Sequence, residues 1–282
     1  MSFFYYHVTV MTLKFRNKIT RAFFYFSSVC VVIAAAYLVA GIVSNSIHPV
    51  TSTRVPELLN SIPFMPYASA AAFIAAGFLF IYVPVVLFFI RRYFVNTQSS
   101  EIIFFYGFLL ACLSEGIRLV IPLFDISNSV SSVFLFLCRI LYAGRFLAPI
   151  SFIFLSILSD SAQRHDIEKN FFLMIAVSGI IALIIPVNSA ELTTTFEPTY
   201  GFSEIFNVFR FILFAVVIIS LLFSARKRDI KELQYLSSDF AFLFSGYIIL
   251  TISDNYVLLA AGAVLLPLGT ARFLLNLHRI YM

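Results

Sequence analysis

The charged residues that lie five or more positions inside long apolar runs of this sequence are the positions where chemistry is most strongly implied: Glu115, Arg118, Arg139, Arg145, Arg210 and Arg272. An ionised side chain near the centre of a membrane-embedded helix costs ~2.5–3.5 kcal/mol on insertion scales, so such residues mark a ligand site or an internal ion pair. Glu115 stands seven residues before the end of one apolar segment and Arg139 seven residues after the start of the next. At a rise of ~1.5 Å per residue, both are expected roughly 10 Å below the same surface. Arg118 shares a helix face with Glu115 three residues earlier, and Arg210 lies six residues into its own segment, again at similar depth. A pair between Glu115 and either Arg139 or Arg118 is therefore expected. Arg145 is expected lower, just past the middle of the bilayer.

The candidate ligand-binding set is Glu115, Arg118, Arg139, Tyr142, Arg145 and Arg210. At the shallower depth, three arginines against one glutamate leave two positive charges over. Arginine presents two parallel donors to a carboxylate or phosphate, so the expected ligand is an anionic small molecule or a lipid headgroup. The competing reading satisfies the arginines internally, through Glu115, through carbonyls near Pro122 and Pro149, or by snorkelling to the surface. Arg272, five residues from the end of the last segment, is expected to snorkel, and Asp239 and Asp254 to be interfacial.

Nothing else in the chain supplies a catalytic constellation. There is no His-Glu-x-x-His, Gly-x-Ser-x-Gly, Walker loop or paired-aspartate motif. Cys30, Cys112 and Cys138 sit in apolar runs, where a thiol acts as a small hydrophobe, and His7, His48, His165 and His278 have no metal-ligand spacing. The expectation leans to a non-catalytic protein with no cofactor and no metal, with a lipid-modifying enzyme that carries none of these motifs as a further alternative. His165 belongs to a polar loop and reads as a solvated residue.

The elements that carry these charges follow from composition. With 61% apolar residues, 12% charged residues and a mean hydropathy of +0.97, the chain lies far from soluble globular, disordered or disulfide-rich proteins. Eight segments approach the ~20 apolar residues that a bilayer crossing requires: 22–44, 69–90, 102–122, 132–157, 170–187, 204–224, 236–253 and 256–277. The fold class is all-α, a polytopic transmembrane bundle forming one membrane domain over 1–282. It comprises a signal-anchor region at 1–44 and a seven-helix bundle at 69–277. The first apolar run exceeds the 7–15 residues of a signal peptide, so an uncleaved anchor is expected, starting from Met1 or from Met11.

With residue 1 on the cytoplasmic side, thirteen lysines and arginines fall in cytoplasmic segments and only Arg54 falls outside. That asymmetry predicts a multi-pass protein of a cell inner membrane with both termini cytoplasmic. It also accounts for the pI of about 9.1, so nucleic acid is not an expected partner. The basic run Arg226–Arg228 is likewise what this topology demands. Of the outside connections, 45–68 carries Pro49, Pro56, Pro63 and Pro66 and should be an extended or short interfacial segment instead of a long helix, while 188–203 carries Glu191 and Glu197 and no basic residue. No internal repeat is visible. Within 102–122, Gly107, Ala111, Ser114, Glu115 and Arg118 share one face, whose small residues let a neighbouring helix approach and turn the charges into the bundle. Pro84, Pro149 and Pro267 are candidate kinks.

One stretch carries a resemblance. Tyr142, Gly144 and Pro149, followed by a polar loop and then Pro186 and Asn188, resemble the pattern in the seven-helix sensor modules at the N-terminus of bacterial membrane histidine kinases. The resemblance extends over the second to eighth segments and implies a unit with its N-terminus outside and its C-terminus inside. Here the sequence departs from those modules, with four residues after His278 and no kinase or cyclase domain, so the resemblance does not carry a signalling output; a cytoplasmic or membrane protein is an expected partner beside the lipid bilayer. The expected function is a sensor or receptor-like ligand-binding membrane subunit. A small-solute or lipid transporter is the alternative, and a structural or assembly subunit the third reading.

Overall fold

A computed structural model describes residues 2–43, 66–94, 101–123, 132–158, 167–228 and 231–281. Among them are eight α-helices: α1 (Ser2–Val43), α2 (Ser69–Tyr93), α3 (Glu101–Ser114), α4 (Ser132–Leu158), α5 (Ile167–Ile184), α6 (Ser203–Arg228), α7 (Lys231–Thr251) and α8 (Tyr256–Tyr281). Seven contain a stretch long and apolar enough to cross a bilayer, and α7 contributes a shorter one, Tyr235–Thr251. The protein is thus a polytopic membrane bundle of helices. Arg54, Pro49, Pro56 and Pro63 of the first outside connection, and His165 of the polar loop, lie outside the described residues.

Helix α3 is the centre. Its candidate span, Glu101–Leu119, is 89% buried, against 17% for the span Arg16–Val43 of α1, which packs on α2 at the rim. The small-residue face of α3 is what permits this. A Cβ on Gly144 of α4 would collide with the Ser114 side chain, and one on Gly107 would come within 2.8 Å of Ser151 Cβ. The same device joins α7 to α8, where a Cβ on Gly246 would meet the Leu266 backbone at 2.5 Å and one on Gly269 the Leu243 backbone at 2.6 Å. Close backbone approach is how helices gain dispersion contacts when lipid already solvates their apolar surfaces. Between these glycine contacts lies an aromatic layer, in which Phe152 meets Phe108 at 5.2 Å and Phe240 at 4.6 Å, and Phe240 meets Phe273 at 5.0 Å. Asn255 caps α8, its Oδ1 accepting from the Leu258 N–H at 2.8 Å.

Two expectations change. The segment 102–122 does not continue as one α-helix: α3 stops at Ser114 and gives way to the 3₁₀ turns Glu115–Leu119 and Ile121–Leu123. Gly116 has poor helix propensity, and Pro122 removes a donor and crowds the carbonyl four residues earlier. The connection after α5 is not irregular. Pro186 ends the helix, and β1 (Val187–Leu192) then pairs antiparallel with β2 (Pro198–Tyr200), with Val187 opposite Tyr200 and Asn188 opposite Thr199. The turn is closed by Thr193 N–H donating to the Glu197 carbonyl at 2.7 Å and Phe196 N–H to the Thr193 carbonyl at 3.2 Å. Phe196 adopts φ 60° there, and Phe202 adopts φ 58° just before α6.

Candidate functional site

The hairpin lies over the end of α3 and α4 at which Glu115 is buried. Glu115 is fully inaccessible and sits in the first 3₁₀ turn. Arg145 of α4 grips it at both oxygens, Nε donating to Oε1 at 2.9 Å and Nη2 to Oε2 at 3.2 Å. Arg118 Nη1 donates to Oε2 at 3.2 Å, and the Tyr247 hydroxyl of α7 reaches Oε1 at 3.5 Å. Three elements therefore converge on one carboxylate. Pro149, four residues after Arg145, cannot donate to the Arg145 carbonyl, so the turn of α4 that carries the guanidinium is loosened beside the site.

The hairpin adds a second carboxylate and several carbonyls. Arg145 Nη1 forms an ion pair with Glu197, which follows Phe196 in the turn. Arg118 Nε donates to the Thr195 carbonyl at 2.7 Å, and the Tyr142 hydroxyl to the Pro198 carbonyl at 2.5 Å. Burial lifts the phenol of Tyr200 above its ordinary value, a tendency that the Arg145 and Arg210 charges oppose, and Tyr200 is a neutral hydroxyl at physiological pH. It donates to Asn207 Oδ1 at 3.1 Å, and Arg210 Nη1 donates to that same oxygen at 3.3 Å.

Of the sequence-derived set, the structure brings together Glu115, Arg118, Tyr142 and Arg145, and joins Arg210 to the hairpin residue Tyr200 through Asn207. Arg139 is not among them. Its side chain is exposed on a different face of α4, because six residues at 100° each leave it about 120° away from Arg145 around the helix. Arg145 takes the place expected for Arg139. The 3₁₀ turns at 115–119 and 121–123, at ~2.0 Å per residue, carry Glu115 only about 3.5 Å of the roughly 9 Å that separates Arg139 from Arg145 along α4, so the face of α4 that each arginine occupies decides the pair. Glu197, Thr195, Pro198 and Tyr247 were not foreseen. The signal for Glu197 was present, since an acidic connection without basic residues faced a surplus of arginine.

With Glu197 included, the cluster holds Arg118, Arg145 and Arg210 against Glu115 and Glu197, a surplus of one positive charge in place of two. Arg118 Nη2 and Arg210 Nε are buried and have no hydrogen-bond partner among the described residues. Among the described residues, no three His, Cys, Asp or Glu side chains gather as a metal ion would require.

A second ion pair adds to the expectations for Arg272 and Asp239. Arg272 does not simply snorkel: its Nε contacts Asp239 Oδ1 at 2.9 Å, and its guanidinium lies 5.3 Å from the Phe242 ring centroid. Asp239 is buried within the protein and also accepts from Asn276, so it is a partner of α8 in addition to its place near the start of the segment. Asp254, in the turn before α8, is buried as well and uses its carbonyl to accept from Ala68 N–H at 2.8 Å. These contacts tie α8 to α7 and to the start of α2. No family model, curated protein or solved structure matches this chain.

Proposed function

We propose that this protein is a non-catalytic sensor or ligand-binding subunit of a cell inner membrane, with both termini cytoplasmic and the hairpin outside. In this reading the Glu197 carboxylate stands where the carboxylate or phosphate of an anionic ligand binds. The observation that carries it is the asymmetry of the two glutamates on Arg145. Glu115 is wholly buried on the bundle's own elements, whereas Glu197 belongs to a turn between strands and its side chain remains 14% exposed. A ligand carboxylate displacing Glu197 would find Arg145 already oriented by Glu115 and the spare Nη2 of Arg118 beside it. Hairpin displacement would then report occupancy to a partner.

The test is a thermal-shift titration with acetate, succinate and inorganic phosphate. A ligand that binds only the folded state stabilises it by RT ln(1 + [L]/Kd), so the melting temperature should rise with concentration. The rise should disappear in Arg118→Gln and persist in Arg139→Gln. A panel without any shift, or one indifferent to Arg118, overturns the reading and leaves the cluster as a device for packing α3, α4 and the hairpin together.

A small-solute transporter is the second reading, favoured by the interruption of α3 at its charged residue. Transporters place discontinuous helices at their binding sites. Counter-flow of a shift-inducing anion in proteoliposomes distinguishes the two, since a sensor binds without exchanging its ligand across the membrane.

A further inference from the structure

At the end of the bundle remote from the hairpin, α2 and α8 leave a groove of about 690 Å³ between them, within the range that accommodates ligands of drug size. Its walls are rows of helix neighbours, Ile81, Val85 and Phe89 on α2 and Ala271 and Leu275 on α8. The polar groups on it are few: the Tyr82–Thr270 hydrogen bond of 2.5 Å, the exposed Tyr93, and His278, which stacks edge-on against Phe94 at 5.4 Å. No acidic residue lines it.

Three features specify what fills it. Its walls are membrane-spanning helices, so the groove opens to hydrocarbon. Along α8 it runs from Pro267 to His278, eleven residues or roughly 16 Å at ~1.5 Å each, which matches the ~15 Å depth of one leaflet. Both walls end in exposed arginine, because Arg92 continues the row of Val85 and Phe89 and Arg279 continues that of Ala271 and Leu275. Between them, His278 Nδ1 is buried without a hydrogen-bond partner among the described residues. We infer that the groove is a specific site for one acyl chain of an anionic phospholipid, whose phosphate lies between Arg92 and Arg279 and whose glycerol esters lie next to His278. This site is independent of the reading of the Glu115 cluster.

The test uses the full chain in phosphatidylcholine nanodiscs doped with a phosphatidylglycerol that carries a diazirine on one acyl chain, with adducts mapped by mass spectrometry after irradiation. Adducts should concentrate on Val85, Ala271 and Leu275. Filling the groove with Ala271→Phe, or separately with Leu275→Trp, should remove most of that labelling at unchanged melting temperature, since both positions are exposed. A phosphatidylcholine probe with the same chain should label less. Arg92→Gln and Arg279→Gln should each cut the preference for the anionic headgroup about fivefold, as one basic residue at an anionic lipid surface predicts. The inference fails if adducts spread evenly onto lipid-facing positions such as Ile180 and Ile205. It fails also if both groove-filling variants label like the parent, if the two headgroups label alike, or if the groove cross-links to a second copy of the chain in place of lipid.

Discussion

Replacing Glu115 by glutamine keeps the shape of the side chain and removes its charge, and the surrounding contacts set the cost. The parent carboxylate takes two donors from Arg145 at 2.9 and 3.2 Å and one from Arg118 at 3.2 Å, with no exposure to solvent. Removing one partner of a buried ion pair costs ~3–5 kcal/mol, because a charge remains buried without compensation. Here Arg145 retains Glu197 while Arg118 keeps only the Thr195 carbonyl, so the loss should fall near the lower end, about 3 kcal/mol. The assay is reversible unfolding in mixed detergent micelles, with Arg139→Gln as the control; its exposed side chain should place it within ~0.5 kcal/mol of the parent. Glu115→Gln combined with Arg145→Gln should lose less than the sum of the single changes, since the two act on one contact. The reasoning is refuted if Glu115→Gln is as stable as Arg139→Gln, or if the double variant is strictly additive.

Other consequences are equally direct. Gly144→Ala should destabilise the bundle by ~1–3 kcal/mol through overpacking, since its methyl would run into Ser114, and unfolding of the same preparation checks it. Phe202 is 69% exposed with φ 58°, so Phe202→Gly should leave stability unchanged or raise it by up to ~1 kcal/mol by relieving the left-handed backbone. Phe196→Gly should instead destabilise, because the Phe196 ring is buried against Phe73 at 6.3 Å. Single cysteines at Thr194→Cys and Arg279→Cys should react with impermeant reagents from opposite sides of sealed vesicles, and labelling of both from one side would contradict the transmembrane arrangement.

Much of the architecture was legible because the bilayer imposes simple rules. Length and hydropathy located the helices, and the small-residue face of α3 anticipated a close helix neighbour, which proves to be α4 at Gly144. The charges of Glu115, Arg118 and Arg145 were identifiable by type, since burial of ionised groups among apolar residues is rare. Pairing was harder to read. It depends less on the pitch of the backbone at Gly116 and Pro122, which shifts Glu115 only slightly from its α-helical depth, than on which face of α4 each arginine occupies. Arg139 and Arg145 both lie in one apolar segment, and only rotation about the helix axis separates a lipid-facing residue from a core one. The hairpin was masked by a different effect. Val187, Thr199 and Tyr200 favour extended backbone, but a two-stranded ribbon draws its stability from the helices beneath it, and those contacts leave no periodic trace in the sequence.

The most direct measurement compares anion affinity in the parent and in Glu197→Gln by calorimetry, with acetate, succinate and inorganic phosphate as probes. Removing the competing carboxylate should tighten binding of the anion that shifts the parent's melting temperature, while Arg118→Gln in the same background should abolish it. Equal affinity in the parent and Glu197→Gln, or no binding by either, would contradict the account in which Glu197 holds the place of an anionic ligand.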